Sequence, residues 1–279
     1  MRMIASENQS LQPFERKHYA DHQFSRDTDG DDFVHSVFTR VSAKQRKLCN
    51  VDFSFSVFDA CYFRDCIFKK CKFTGCRFVN TNFHGSSFDG CKFEYATFDK
   101  TDITCDILKN NCPGWVNVKR HFARSLRKNY ESIGDKGAAD KAFATELKAT
   151  EEHLRKAWKS NESYYRTNFK WLARANAFFQ WVGFWFTDIV FGNGQKVSRP
   201  IVAMGIALVA IAILHLFKSG SLSSPNTYLG AFFVQSPSVF FGICQPASYS
   251  ASLLTMIYVV RLVVFGSFMT LIVRQFSRR

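Results

Sequence analysis

CYFRDCIFKKCKFTGCRF, Cys61 to Phe78, puts a phenylalanine at every fifth residue and a cysteine two places before each one. Five is neither the helix period of 3.6 nor the strand period of 2. The phase extends beyond the quoted stretch. Phe53, Phe58, Phe63, Phe68, Phe73, Phe78, Phe83, Phe88, Phe93 and Phe98 share it, and Ile103 and Leu108 continue it. Two positions earlier stands a small residue: Val51, Ser56, four cysteines, Thr81, Ser86, Cys91, Ala96 and Thr101. Internal periodicity of this kind decides the fold before any other signal.

The repeat resembles the pentapeptide-repeat proteins over about 58 residues. The resemblance implies a right-handed quadrilateral β-helix with one repeat per face, so residues twenty apart stack. Phe53, Phe73 and Phe93 then share one corner, and Val51, Cys71 and Cys91 share one column of small residues. The residues there must be small because the rings fill the rest of a narrow interior at close-packed density. Phe33 and Phe38 keep the phase upstream, but Asp31 would then point inward, so an earlier coil is expected to be distorted and residues 1–32 are read as a flexible segment.

The nine cysteines are spaced by four or more intervening residues, unlike the close pairs of zinc sites. Free thiols also pack as small hydrophobes. They are expected to be core, in a reducing compartment, with no metal and no cofactor. The start of the chain shows no apolar signal-peptide core. The Asp27–Asp32 run, DTDGDD, begins like a calcium loop but lacks the terminal glutamate. No nucleophile–base pair or phosphate-binding glycine loop is present, and no enzyme is expected.

The formal charge of +14 is unevenly placed. Residues 1–112 carry 16 basic and 15 acidic side chains, whereas residues 165–279 carry 10 and 1. Residues 51–108 are balanced at 7 and 8, which argues against the acidic DNA mimicry of some pentapeptide-repeat proteins. After the β-helix of residues 33–111, Pro113-Gly114 breaks the repeat. Residues 112–163 then read as a helical hairpin with helices near 116–132 and 138–158. Two basic groups are candidate sites for an anionic ligand. Arg120, Arg124, Arg127 and Lys128 lie along the first helix, and Lys69, Lys70, Lys72 and Arg77 along the outside of the β-helix. Residues 164–198, rich in Trp and Phe with Lys170 and Arg174 interleaved, suit an interfacial helix.

Residues 199–279 hold two apolar runs, about 200–218 and 252–274, each long enough to span a bilayer with its flanks. The apolar stretch between them, about 226–244, is broken by Pro237 and glycines and reads as a re-entrant loop. Lys196, Arg199, Arg274, Arg278 and Arg279 make the side bearing both termini cytoplasmic. Span, loop, span resembles the two-transmembrane potassium-channel pore, and QSPSVFFGICQPAS resembles its filter segment. In that alignment Ser238 takes the threonine place, Phe241 the aromatic and Gly242 the second glycine, with Ser236 just before. Phe240 stands where the first glycine belongs, so potassium selectivity is not expected. Arg261, mid-span, is expected to face protein or water, with Phe265, Phe268 and Ile272 on its stripe as a gate and Gly266 as a hinge.

The fold class is thus a multi-domain α+β membrane protein: β-helix, helical hairpin, then a two-helix pore domain. Its architecture resembles membrane effectors of bacterial anti-phage defence, such as the pore subunits of Hailong systems. That resemblance implies a homo-tetrameric inner-membrane ion channel gated by a nucleotide or single-stranded oligonucleotide. The alternative is a non-conducting membrane-anchored scaffold that binds a protein partner.

Overall fold

Each five-residue step ends in a left-handed corner. His35, Arg40, Gln45, Asn50, Phe55, Ala60, Asp65, Lys70, Asn80, Tyr95 and Lys100 all have φ between 47° and 60°. Such backbone costs a residue with a β-carbon about 1 kcal/mol or more, and the inward apolar residue of each step, a phenylalanine except at Ala43 and Leu48 among these, offsets it by its burial. The computed structural model describes residues 15–192, 198–219 and 225–277. It divides into two compact units, Met1–Asn168 and Phe169–Arg279.

In the first unit the corners turn the chain into a four-sided solenoid with parallel strands stacked twenty residues apart. One face carries Lys17–Ala20, Ser36–Thr39, Val57–Asp59, Arg77–Val79 and Thr97–Asp99. A second carries Thr28–Asp29, Lys47–Cys49, Ile67–Lys69 and Ser87–Asp89. Ser42–Lys44 pairs with Tyr62–Arg64 on a third, and single bridges link Asp32, Asp52, Lys72 and Lys92 on the fourth. Inside, rings twenty apart stack nearly parallel: Phe53 and Phe73 at 5.3 Å, Phe73 and Phe93 at 5.0 Å. Neighbouring columns meet edge to face, the arrangement aromatic quadrupoles favour.

The expected start at residue 33 needs correction, because the first coil begins at Lys17. Tyr19 stacks on Phe38 at 5.2 Å, in a register that pairs Lys17 with Ser36. That offset is nineteen, one short of the repeat, which hid the coil from a fixed count. Asp31 is exposed rather than inward, at the end of the stack where no earlier turn among the described residues covers it. The acidic run is part of this coil: Asp27 accepts from the Lys47 amide and Asp29 from the Asn50 side chain.

The far end of the solenoid is closed by helix. A short turn, α1 (Ile107–Asn110), leads to the antiparallel pair α2 (Val116–Ile133) and α3 (Lys136–Lys159). Gly134, left-handed at φ 82°, ends α2, and the Asp135 carboxylate caps α3 by accepting from the Ala138 amide at 2.9 Å. The hairpin is no separate domain. Phe122 on α2 is fully buried against Phe93 and Phe98, with ring centroids 5.8 and 6.0 Å away. A short helix, α4 (Ser163–Asn168), completes this unit.

The second unit is helical: α5 (Trp171–Phe191), α6 (Ser198–Ser219), α7 (Pro225–Gly230), a π turn (Ala231–Gln235), α8 (Ser236–Phe241) and α9 (Ala251–Ser277). Ser198–Phe217 and Ala251–Thr270 are long and apolar enough to cross a membrane by length and composition. The apolar helix Tyr228–Phe241 is too short to do so. Pro237 does not interrupt it. A π turn, Ala231–Gln235, precedes Pro237, which stands in the first turn of α8 where its missing N–H is tolerated.

Candidate functional site

The filter-like residues lie at the end of that short helix. Ser236 is buried and its hydroxyl donates to the Leu208 carbonyl on α6 at 2.6 Å. Ser238 donates to the Val234 carbonyl one turn back, also at 2.6 Å. Phe240 is buried, packed with Ile211, Val239 and Tyr249, and Phe241 is about half exposed. The residue-by-residue match to an extended filter therefore fails over 236–241. These residues are helical, and the Ser238 carbonyl already accepts the amides of Ile243 and Cys244 at 2.8 and 3.2 Å. Phenylalanine in the first glycine's place lets the helix run on. Gly242 ends it in the left-handed conformation at φ 80°.

Arg261 meets this end. Its guanidinium lies over the Tyr258 ring, 4.6 Å from the centroid, and a β-carbon at residue 242 would strike its Nη1. Phe265 approaches Phe240 and Phe241, with centroids 6.3 and 6.1 Å apart. Phe268 and Ile272 are half-buried on the same side of α9, and Gly266 has open space where a side chain would go. The acid of this unit, Asp188, lies 3.7 Å from Arg199. Lys196, Arg278 and Arg279 lie outside the described residues.

Neither basic group survives as one patch. A five-residue step turns the chain by one face, so Lys69 and Arg77 sit on opposite faces of the solenoid, with Lys70 on a corner and Lys72 on the face between. Lys72 is further paired with Asp52 at 2.8 Å. On the hairpin, Arg124 and Arg127 both grip Glu146 of α3, at 2.7 and 2.9 Å, and Arg127 also reaches Glu131 at 3.0 Å. These two arginines hold the hairpin together. Arg120 and Lys128 lie on the same helix and form no ion pair among the described residues.

Glu146 has a testable pH signature. Burial alone would raise its carboxyl, but hydrogen bonds and charge from Arg124 and Arg127 outweigh that and hold it below its usual value. A lowered folded-state pKa gives stability that is present above the unfolded value of about 4.3 and lost as pH falls through the folded value. Glu146→Gln should therefore cost about 2 kcal/mol at pH 7, less than a fully buried pair because Arg124 is half exposed. Melting curves of wild type and variant should converge as the pH is taken from 7 toward 3. A gap that stayed constant would contradict this role.

The solenoid's family now follows from its sequence profile. Two profiles described as pentapeptide repeats match, one of eight copies over residues 36–75 and one of nine copies over residues 68–107. Residues 36–107 are pentapeptide repeats. No curated protein matches the chain. Among solved structures, the chain is similar to two trypsin-treated single-substitution variants of QnrB1, described as a plasmid-mediated fluoroquinolone resistance protein. One is 15% identical at a TM-score of 0.13, over 32% of this chain and 62% of that one. The other is 21% identical at a TM-score of 0.13, over 30% and 55%. The chain thus spans less than two thirds of either protein.

Within the pentapeptide repeats the small inward residue does more than fit. Its head group donates to a carbonyl twenty-three residues earlier. Cys61 reaches Phe38 at 3.3 Å, Cys76 reaches Phe53 at 2.9 Å, Thr81 reaches Phe58 at 3.2 Å and Ser86 reaches Phe63 at 2.9 Å. Burial pushes the Cys61 thiol up to about 11 and the Cys76 thiol up to about 12, so both stay protonated donors and unreactive. At the end of the repeats two asparagines stand in for the missing next coil. Asn111 donates to the Phe88 carbonyl at 3.1 Å and accepts from the Cys91 amide at 2.8 Å. Asn129, on α2, donates to the Thr101 carbonyl and accepts from its amide, both at 2.7 Å.

Proposed function

We propose that the chain is an oligomeric ion channel whose pore is built by the second unit and whose pentapeptide-repeat unit receives the controlling ligand. The observation carrying this reading is the sequence of α6, a short apolar helix that ends at Gly242, and α9. The middle helix is packed between the two long ones through Phe240 and Ser236. Only 17% of either long helix is buried within one chain, and two such helices cannot by themselves shield a water path. Several copies are needed, and the potassium-channel plan makes the number four. The helical state of Ser238, Phe240 and Phe241 supports a pore without a carbonyl filter, and hence without potassium selectivity. The basic excess beside the apolar runs supports an inner-membrane placement with both termini cytoplasmic.

A nucleotide or single-stranded oligonucleotide is the ligand class we assign to the pentapeptide-repeat unit, consistent with a role in anti-phage defence. The ligand must bind open and closed forms with different affinity to gate anything. Its affinity should also fall steeply with salt. The rival reading is a membrane-anchored scaffold for a protein partner, favoured by the closure of the first unit as a body of its own. Liposomes decide between them. The purified full chain should release entrapped salt and run in nanodiscs as four chains of 32.0 kDa. Sealed vesicles with a monomeric protein would support the scaffold.

A further inference from the structure

We propose that Arg261, in the cavity between α8 and α9, forms a binding site for a small inorganic anion such as chloride. The functional consequence, a conduction path that prefers anions, rests on the channel reading above. The binding itself requires no conduction, and its assignment to a free ion rests only on α9 crossing the bilayer.

A cavity of about 340 Å³ opens between α8 and α9, with Gly242, Cys244, Gln245, Thr255, Tyr258 and Arg261 among its lining residues. No carboxylate lines it. The chain has no Asp or Glu after Asp188, and that acid already faces Arg199 at 3.7 Å. Arg261 therefore has no carboxylate side chain to pair with in its own unit. The α8 C-terminus offers at most about half a negative charge, and its Val239 and Ser238 carbonyls already accept the amides of Gly242, Ile243 and Cys244. Tyr258 holds one face of the guanidinium and leaves its edge donors available. Arg261 is only partly exposed, and in an apolar unit a guanidinium drawn partly out of water gains from a negative partner.

Two sources supply a small hard anion: a free ion or a lipid phosphate. Arg261 stands ten residues into α9, about 15 Å along the helix, which is about half the hydrocarbon thickness. Headgroup phosphates do not sit at that depth, so the free ion is assigned. Gly242 is part of the site. Any side chain there would displace Nη1, which accounts for a glycine at this point besides its left-handed φ.

The test uses the full chain in neutral phosphatidylcholine nanodiscs, melted in sodium chloride and in sodium gluconate at equal ionic strength. At tenfold excess over its Kd, chloride should raise Tm by about 3–6 °C. Arg261→Gln should abolish the shift and Arg261→Lys should keep part of it. Equal Tm in both salts overturns the site, and the wild-type comparison settles this even if R261Q does not fold. A rise produced by phosphatidylglycerol discs in gluconate, with none from chloride, assigns the site to lipid phosphate and overturns the free-ion assignment. In a bilayer with a tenfold sodium chloride gradient, the reversal potential should move toward the chloride equilibrium, and movement toward the sodium equilibrium contradicts an anion-preferring pore. A protein that shows the chloride shift yet passes no current refutes the channel and keeps the site.

Discussion

Phe73→Ala should cost about 3–5 kcal/mol, the upper range for emptying a buried aromatic position. Phe73 is the middle ring of its column, stacked on Phe53 and Phe93 and edge-on to Phe68 and Phe78 at 5.7 Å each. Its surroundings cannot collapse into the gap. The coils above and below are fixed at strand spacing by backbone bonds such as those from the Phe53 amide to Lys72 and from the Phe73 amide to Lys92. The loss is therefore the transfer energy of the ring plus an almost unrelaxed cavity. Phe55→Ala is the control, since Phe55 sits on an outer corner and is half exposed; it should change stability by less than about 1 kcal/mol. Chemical unfolding followed by far-ultraviolet circular dichroism measures both. Equal effects of the two substitutions would mean that the ring columns are not what holds the solenoid.

Asn129→Leu is expected to cost about 2–4 kcal/mol, although the side chain it introduces is apolar and of similar size. Asn129 is buried and satisfies both the amide and the carbonyl of Thr101, itself buried. Leucine leaves both groups unpaired away from water, at about 1–3 kcal/mol each. The damage should be local. Solenoid stability is a sum over neighbouring coils, so hydrogen exchange should accelerate over residues 97–111 and change little over 36–60. Uniform acceleration along the whole solenoid, or none, would contradict the capping role.

The columns of rings were legible because the five-residue phase of Phe53 to Phe98 is fixed by chain connectivity alone. The first coil was not, because one missing residue put His18 rather than Tyr19 at the expected place. Asn111 keeps the phase of Val51, Cys71 and Cys91, so its position was readable; its role was hidden because the amide interrupts a series of small side chains. Asn129 carries no such signal, since it comes twenty-eight residues after the group it caps, along a helix. The basic groups misled for a related reason. Lys69 and Arg77 are close in sequence and face opposite ways, and the partner of Arg124 and Arg127 lies on the other helix of the hairpin. In the second unit, the two long helices were plain from length and apolarity, whereas the short one read as a loop because Pro237 and the glycines look like breaks and the π turn ahead of the proline has no sequence signal. The end of α8 was partly legible: Phe240 in place of a glycine argued against a potassium filter, but not that the segment is helical. That Arg261 reaches Gly242 required the packing of α8 on α9, which spacing within α9 does not reveal.

The most direct test of the account is recording from the purified full chain in a planar bilayer, with insertion verified independently. The account predicts discrete unitary currents that are not selective for potassium and that change when single-stranded oligonucleotide is added to the side bearing the pentapeptide-repeat unit. A membrane that carries inserted protein and stays silent at every voltage, with and without oligonucleotide, would contradict it.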